Sequence, residues 1–182
     1  SLLFLLQAAL DEDMPNGDIT SELMVPENLT QIARITSKAS GVFYGTEIIA
    51  DIFNLLDSNT QVVFHYQNGD RVMKGDEVVT ITGKSRVILK AERVMLNLIQ
   101  RLSGIATRTS QFVAALDDAT IQVLDTRKTT PLFRFLERRA VVAGGGINHR
   151  LNLSDMVLIK ENHLSAFLAT SSYDLLPDLF DQ

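Results

Sequence analysis

The sequence predicts a protein of mixed α/β and α+β class, in which a small α+β layer is followed by alternating strands and helices. Short apolar runs between glycine–acid turns indicate a small sheet before residue 87. Apolar residues that recur every three or four positions indicate helices from residue 87 onward. Beyond these helices, strand patterns alternate with a helical pattern, which is typical of βα units and a parallel sheet.

The first part begins with an apolar helix over residues 1–10 and a polar loop over residues 11–28. Residues 31–36 alternate apolar and polar side chains, which is the period of a half-buried strand. Helical spacing follows over Glu47 to Leu56. Three further strands are predicted at residues 61–66, 71–75 and 77–83. We therefore expect a small sheet with helices on one side.

The second part begins with a helix from Val87 that is predicted to end near Ser103-Gly104, and a second helix is predicted over residues 105–116. Strands are then predicted at residues 120–125 and 155–160, with a helix over 132–144 between them and at most one more helix, broken at Pro177, after them. A closed barrel needs more βα units than these. We therefore expect the sequence to be an incomplete record of a longer protein, either truncated or joined across a gap after His163.

Composition narrows the possible functions. The chain has no cysteine, which excludes disulfides and cysteine zinc sites, and it has no apolar run of about 18 residues that would predict a membrane span. We expect a cytoplasmic protein. The net charge is −5, yet residues 93–160 contain ten Lys/Arg against five Asp/Glu. A cationic middle in an acidic protein favours a small anionic ligand over nucleic acid.

Cations follow both predicted strands of the second part. Arg127 and Lys128 come after the first strand, and Lys160 ends the second. Ligands bind at the carboxyl ends of strands in parallel sheets, and arginine can hold a carboxylate with two parallel hydrogen bonds. The alternative is a solvated basic turn with Asp125 as the local partner of either cation. His163 by itself is more typical of a structural histidine.

The segment GGGINHR, residues 144–150, combines three glycines with Asn148, His149 and Arg150. The glycines would let the backbone approach an anion closely, or would form a tight helix-to-strand connection. The spacing matches neither a dinucleotide-binding fingerprint nor a P-loop. For Glu92-Arg93, and likewise for Arg101 and Arg108, the default interpretation is a surface ion pair on a helix.

Five segments together resemble the signature segments of the quinolinate phosphoribosyltransferases, in the same order and spacing: GDITS, ERVMLNLIQRLSGIAT, DTRKTTP, GGGINHR and LIKENH. The resemblance covers residues 10–164. Glu161 stands where the family usually has aspartate, Pro131-Leu132 where it has Pro-Gly, and Arg139 where it has an aromatic residue. None of these differences removes a charged ligand contact.

This resemblance implies an N-terminal α/β sandwich with a long linking helix, residues 1–102, and a partial α/β barrel, residues 103–182. It also implies a head-to-tail homodimer, and from the composition we expect neither a membrane nor a nucleic-acid partner. Quinolinate would be bound by Thr126, Arg127, Lys128, His149, Arg150 and Lys160, with Lys128 and Lys160 as the catalytic lysines and Arg93 supplied by the neighbouring subunit. Mg²⁺ would bind with phosphoribosyl pyrophosphate, through ligands in barrel strands that the sequence does not show.

Two alternatives remain open at this point. The phosphoribosyltransferase-like paralogue associated with molybdenum transport shares the implied architecture. A biotinyl or lipoyl carrier would place its modified lysine, Lys74, on the hairpin between the two glycine–acid turns. The carrier interpretation does not explain residues 87–163.

Overall fold

A computed structural model describes residues 1–118 and 120–171, and the chain forms two units, Ser1–His149 and Arg150–Gln182. The first unit contains a three-stranded antiparallel sheet of β1 (Thr30–Thr36), β3 (Gln61–Phe64) and β5 (Glu77–Lys84), in the order β1-β5-β3. Two short strands, β2 (Gly41–Val42) and β4 (Arg71–Val72), pair beside it. All but β2 were predicted.

Three helices pack with this sheet: α1 (Leu2–Asp13), α3 (Thr46–Leu56) and α4 (Ser85–Leu116). The apolar stripe of α3 is fully buried at Ile48 and Ile52, as its helical spacing predicts. Leu6 of α1 and Leu102 of α4 complete the same core. An N-terminal α/β domain is therefore confirmed.

The predicted polar loop over residues 11–28 contains a helix, α2 (Ile19–Met24). Asp18 is its N-cap and accepts a 3.0 Å hydrogen bond from the backbone N–H of Ser21. Hydrogen bonds from the Ser21 hydroxyl and backbone hold the pKa of Asp18 below its usual value. Six residues are too few for periodicity to reveal the helix, so only the capping aspartate signals it.

The predicted break near Ser103-Gly104 is wrong, because α4 runs unbroken through both residues. A glycine inside a helix costs about 1 kcal/mol relative to alanine. Leu102 and Ala106, on either side of it, are fully buried and offset that cost.

The two strands predicted in the second half are also absent from the described residues. Near the first there is only an isolated parallel bridge between Leu124 and Ile147, and residues 155–160 form a turn and an irregular segment. An apolar run becomes a strand only where a neighbour accepts its backbone hydrogen bonds. The predicted helix after the first run is confirmed as α5 (Arg134–Ala143).

In the second unit, α6 (Glu161–Leu168) begins directly after Lys160, where a loop was predicted. The predicted proline break at Pro177 lies outside the described residues. No helix in the described ranges is long and apolar enough to cross a membrane.

Candidate anion-binding site

The three glycines after α5 are explained by close packing against α4 and α5 and by the turn that the backbone makes there. A Cβ atom at Gly144 would overlap the carbonyl oxygen of Ala106, and one at Gly146 would lie 2.7 Å from Cγ1 of Val141. Gly145 has φ +87°, in the left-handed region that favours glycine. The tight-connection interpretation of these glycines therefore holds.

This connection places residues 147–149 beside residues 123–125. Ile147 donates a 2.8 Å backbone hydrogen bond to Val123, and Asp125 donates one of 3.0 Å to Ile147. The segment that carries His149 thus lies next to the segment that leads into Arg127 and Lys128. Two of the predicted binding segments meet here.

Asp125 occupies the junction of these segments. Its Oδ1 accepts a 2.7 Å hydrogen bond from the backbone N–H of His149, and its Oδ2 lies 3.3 Å from Nε of Arg138 on α5. In the orientation that turns the Asn148 amide nitrogen towards Asp125 and Arg138, this nitrogen donates to Oδ2 of Asp125 at 2.8 Å and to the Arg138 carbonyl at 3.1 Å. The alternative in which Asp125 pairs with Arg127 or Lys128 is wrong, because its carboxylate pairs with Arg138 on α5.

The segment after Asp125 presents its cations differently. Thr126 accepts the backbone N–H of Lys128 at 3.2 Å, and Lys128 is exposed. Nε of Arg127 is buried and has no hydrogen-bond partner among the described residues. A buried N–H without an acceptor costs about 1–3 kcal/mol. This group is therefore suited to an acceptor supplied by a ligand.

A second ion pair fixes the other end of this segment. Arg101 on α4 donates to Oε1 of Glu137 on α5 and, at 2.6 Å, to the hydroxyl of Thr130. Oε2 of Glu137 accepts the backbone N–H of Thr130 at 3.3 Å. Glu137 and Arg138 were not among the site residues predicted from the sequence. The available signal was that Glu137 belongs to the apolar stripe of Phe133, Leu136 and Ala140.

The sequence differs from the family pattern at Leu132 and Arg139, and both differences affect the local structure. Leu132 has φ +68°, in the region that favours glycine. Arg139 has its Nη1 3.7 Å from Oε1 of Glu47, and its guanidinium lies 5.7 Å from the ring centre of Phe135. Arg139 therefore joins α5 to the start of α3.

Glu47 also accepts hydrogen bonds from Tyr44 at 2.5 Å and from the Asn68 amide at 2.6 Å. Burial acts to raise the pKa of Glu47, but hydrogen bonds from Tyr44, its own backbone and Asn68 outweigh it and leave the pKa below its usual value. Burial and the Glu47 hydrogen bond raise the pKa of the Tyr44 hydroxyl. The cluster is thus ionised at Glu47 and neutral at Tyr44 around pH 7.

Arg93 lies exposed on α4. Within residues 1–118 and 120–171, the side chains of Glu92 and Arg93 form no hydrogen bond and no ion pair, so the predicted surface pair between them does not form.

The second unit carries the other two predicted cations. Arg150 donates from Nη1 to the carbonyl of Met156 at 3.0 Å, so its guanidinium helps hold its own loop. Lys160 is the N-cap of α6, where an ammonium group and the positive end of the helix both favour an anion. The backbone N–H of Lys160 donates to Nδ1 of His163 at 2.9 Å, which is the structural role expected for that histidine.

The described residues do not fit a magnesium ion. No group of three or more His, Asp or Glu side chains among them is placed to hold a metal. Mg²⁺ prefers oxygen ligands, chiefly carboxylates and phosphates. Mg²⁺ therefore remains a prediction from the resemblance.

Fold and site together define an α/β protein with a site suited to a small anion. Residues 18–103 match the family model "Quinolinate phosphoribosyl transferase, N-terminal domain", and residues 105–173 match "Quinolinate phosphoribosyl transferase, C-terminal domain". The chain belongs to the quinolinate phosphoribosyl transferase family, as its signature segments predict.

Known relatives agree with this assignment. The chain is 48% identical over 155 residues to the probable nicotinate-nucleotide pyrophosphorylase (carboxylating) of Bacillus subtilis, a match that covers 85% of this chain and 53% of the relative. It is 41% identical over 162 residues to a mitochondrial quinolinate phosphoribosyltransferase (decarboxylating) of Nicotiana tabacum, with 88% and 46% covered. The crystal structure of NadC from Streptococcus pyogenes matches with a TM-score of 0.90 at 38% identity, over 96% of this chain and 61% of that one. The chain therefore spans about half the length of its curated relatives.

Proposed function

We propose that this chain acts as a nicotinate-nucleotide pyrophosphorylase (carboxylating) in NAD biosynthesis and that it binds quinolinate. The observation that carries the proposal is the buried Nε of Arg127, which lacks an acceptor among the described residues. Lys128 follows it directly, and His149 is held close to this segment through Asp125. Family membership and the names of the relatives favour this function over the molybdenum-associated paralogue and the lipoyl-type carrier.

The chemistry of quinolinate fits these groups. It carries two carboxylates on adjacent ring carbons, so it needs more than one cation. Arg127 would supply N–H donors in a fixed plane, and Lys128 a mobile point charge. Attraction between opposite charges strengthens as water is expelled from the site. The free energy lost by burying Nε of Arg127 without an acceptor would be regained when a carboxylate binds.

The reaction proposed for the whole protein has two stages. The ring nitrogen of quinolinate attacks the anomeric carbon of phosphoribosyl pyrophosphate, and the bond to pyrophosphate breaks. The ring is then cationic, so it stabilises the electron pair left on C2 when the 2-carboxylate leaves as carbon dioxide, and a proton then adds to C2. The products are nicotinate mononucleotide, pyrophosphate and carbon dioxide. The residues described here contribute binding and orientation, which can account for about 7–11 kcal/mol of a barrier when two reactants are well aligned.

The remaining expectations belong to the same proposal. Residues 103–182 would be part of an α/β barrel, with a domain boundary at residues 102 and 103, inside α4. The protein would act in the cytoplasm as a head-to-tail homodimer. Arg93 would reach the site of the neighbouring subunit, which its exposure and lack of a partner in the described structure support. The roles of Arg150 and Lys160 remain predictions from the resemblance.

A calorimetric titration tests the proposal. Quinolinate should bind the chain, and nicotinate, which lacks the 2-carboxylate, should bind at least about tenfold more weakly, since a charged hydrogen bond is worth about 1.5–3 kcal/mol. Equal affinity for both compounds, or no heat with either at millimolar concentration, would contradict the proposed function.

A further inference from the structure

Three consecutive charged residues on α5 contact three different parts of the first unit. Glu137 binds Arg101 and Thr130, Arg138 binds Asp125 and His149, and Arg139 lies near Glu47. The first two reach the segments that carry the predicted substrate cations. The third, Arg139, reaches Glu47 at the start of α3. Helix α5 thus offers Arg138 as a candidate positioning residue and Arg139 as a neighbouring control.

Arg138 and Asp125 hold both backbone groups of His149. Nη2 of Arg138 donates to the His149 carbonyl at 2.7 Å, and the His149 N–H donates to Oδ1 of Asp125 at 2.7 Å. The two side chains also bind each other, with 3.3 Å between Nε and Oδ2. The N–H and the carbonyl of a residue lie on either side of its Cα atom. Fixing both therefore fixes the direction in which the imidazole leaves the backbone.

The pair is well protected from solvent. The side chains of Arg138 and Asp125 are 10% and 4% exposed. Charge–charge hydrogen bonds are less screened by salt and water at such burial than on the surface. The His149 ring itself makes no hydrogen bond within the described residues, so its position depends on the backbone. Asp125 also directly precedes Thr126, so the same carboxylate fixes the distance between His149 and the Arg127 segment.

The geometry points to Arg138 and Asp125 as positioning residues that hold His149 where it can contact the substrate of the neighbouring Arg127 segment. This inference rests on the proposed function for its substrate. Neither residue needs to touch quinolinate. Arg138 would act through the His149 peptide, and replacing it would move the imidazole without removing any group that binds the ligand.

The test compares Arg138→Lys with Arg139→Met on the same helix. Lysine keeps the charge but lacks the planar fork that binds Asp125 and the His149 carbonyl together. Arg138→Lys should weaken quinolinate binding about tenfold, on the scale of one charged hydrogen bond. Arg139→Met loses an ion pair that faces α3, and it should leave the affinity within about twofold.

A double-mutant cycle with His149→Ala separates positioning from general damage. If Arg138 acts through His149, Arg138→Lys should weaken binding by less than about twofold in the His149→Ala background. An equal tenfold loss in both backgrounds would overturn the inference, as would equal effects of Arg138→Lys and Arg139→Met.

Amide hydrogen exchange of His149 can be measured on the unchanged chain without quinolinate, so it requires neither a ligand nor a correctly folded variant. In the unchanged chain the His149 amide should exchange about tenfold or more slowly than an exposed amide, because Asp125 accepts it. Fast exchange at His149 would contradict the inference even if quinolinate binds. Slow exchange without quinolinate binding would contradict the proposed function and leave the positioning of His149 supported.

Discussion

Arg101 on α4 donates two hydrogen bonds, of 3.1 and 2.6 Å, to the same carboxylate oxygen of Glu137 on α5. The Glu137 side chain is 9% exposed and that of Arg101 49%, so the carboxylate depends on a cation that reaches in from the surface. Because Glu137 also accepts the backbone N–H of Thr130, this pair joins two helices to the segment that begins at Asp125. The ion pair predicted for Arg101 does form, but its partner Glu137 is buried and lies on another helix.

Arg101→Ala should destabilise the first unit by about 1–2 kcal/mol, because it leaves the Glu137 carboxylate buried without its cation. Half of the Arg101 side chain is in water, so screening keeps the loss below that of a fully buried pair. Urea unfolding of the chain measures the change. Arg108→Ala, on the same helix, is the control and should cost no more than about 0.5 kcal/mol. Equal losses in the two variants would argue against a structural role for Arg101.

Leu132→Gly should stabilise the chain. The carbonyl of Thr130 accepts the N–H of Phe133 at 3.1 Å, so Thr130–Phe133 is a β-turn with Pro131 second and Leu132 third. A φ of +68° at the third position indicates a type II turn, which usually has glycine there. The strain of about 1–2 kcal/mol exceeds the entropy cost of glycine, leaving a net gain of about 0.5–1 kcal/mol.

The Leu132 side chain is 83% exposed, so little packing is lost in that variant. Leu132→Ala is the matched control: it removes the same exposed side chain, keeps a Cβ atom and should give no gain. A thermal unfolding midpoint that falls in Leu132→Gly would contradict the assigned turn.

Glu47 should make stability depend on pH. Its pKa in the folded protein lies below the ordinary value of 4.5, so its ionised form contributes stability above pH 4.5. That contribution is lost as the pH falls through the folded-state value. The difference in unfolding free energy between the unchanged chain and Glu47→Gln should therefore shrink below pH 4.5. A difference that stays constant from pH 7 to about pH 3 would show that Glu47 acts through packing alone.

If Arg93 acts across a dimer interface, mixing two binding-deficient variants should restore quinolinate binding. Arg93→Ala and Arg127→Ala should each bind quinolinate poorly as pure proteins. Mixed after unfolding and refolding, they should recover about one quarter of the wild-type sites, since half of the dimers would contain one intact site. Arg127 is the better partner for this test than Arg150, whose guanidinium holds its own loop at Met156. No recovery would indicate a site built within one subunit.

Local patterns predicted much of this molecule. The alternation in residues 31–36 and the helical spacing in Glu47–Leu56 are each decided by which side chains face one core, and both elements formed. The apolar runs at 120–125 and 155–160 did not form strands, because a strand also requires a hydrogen-bonded neighbour that its own sequence cannot specify.

The candidate site was predicted only in part for a similar reason. Arg127, Lys128 and His149 were identified from segments that resemble a family, and the structure brings these segments together at Asp125. The partner of Asp125 is Arg138, thirteen positions away on another element. The sequence suggested Arg127 or Lys128 as the partner, because both are close to Asp125 along the chain. Spacing along the chain does not reveal which helix packs against a carboxylate.

Binding of quinolinate to Arg127→Ala tests the central claim most directly. Calorimetry should show an affinity weaker than that of the unchanged chain by about 1.5–3 kcal/mol, because a carboxylate loses its charged donors. Arg34→Ala is the control, since Arg34 is exposed on β1 and paired with Glu77 at 3.2 Å, and it should bind normally. A loss confined to Arg127→Ala would support the proposed site. Unchanged affinity in Arg127→Ala would contradict it.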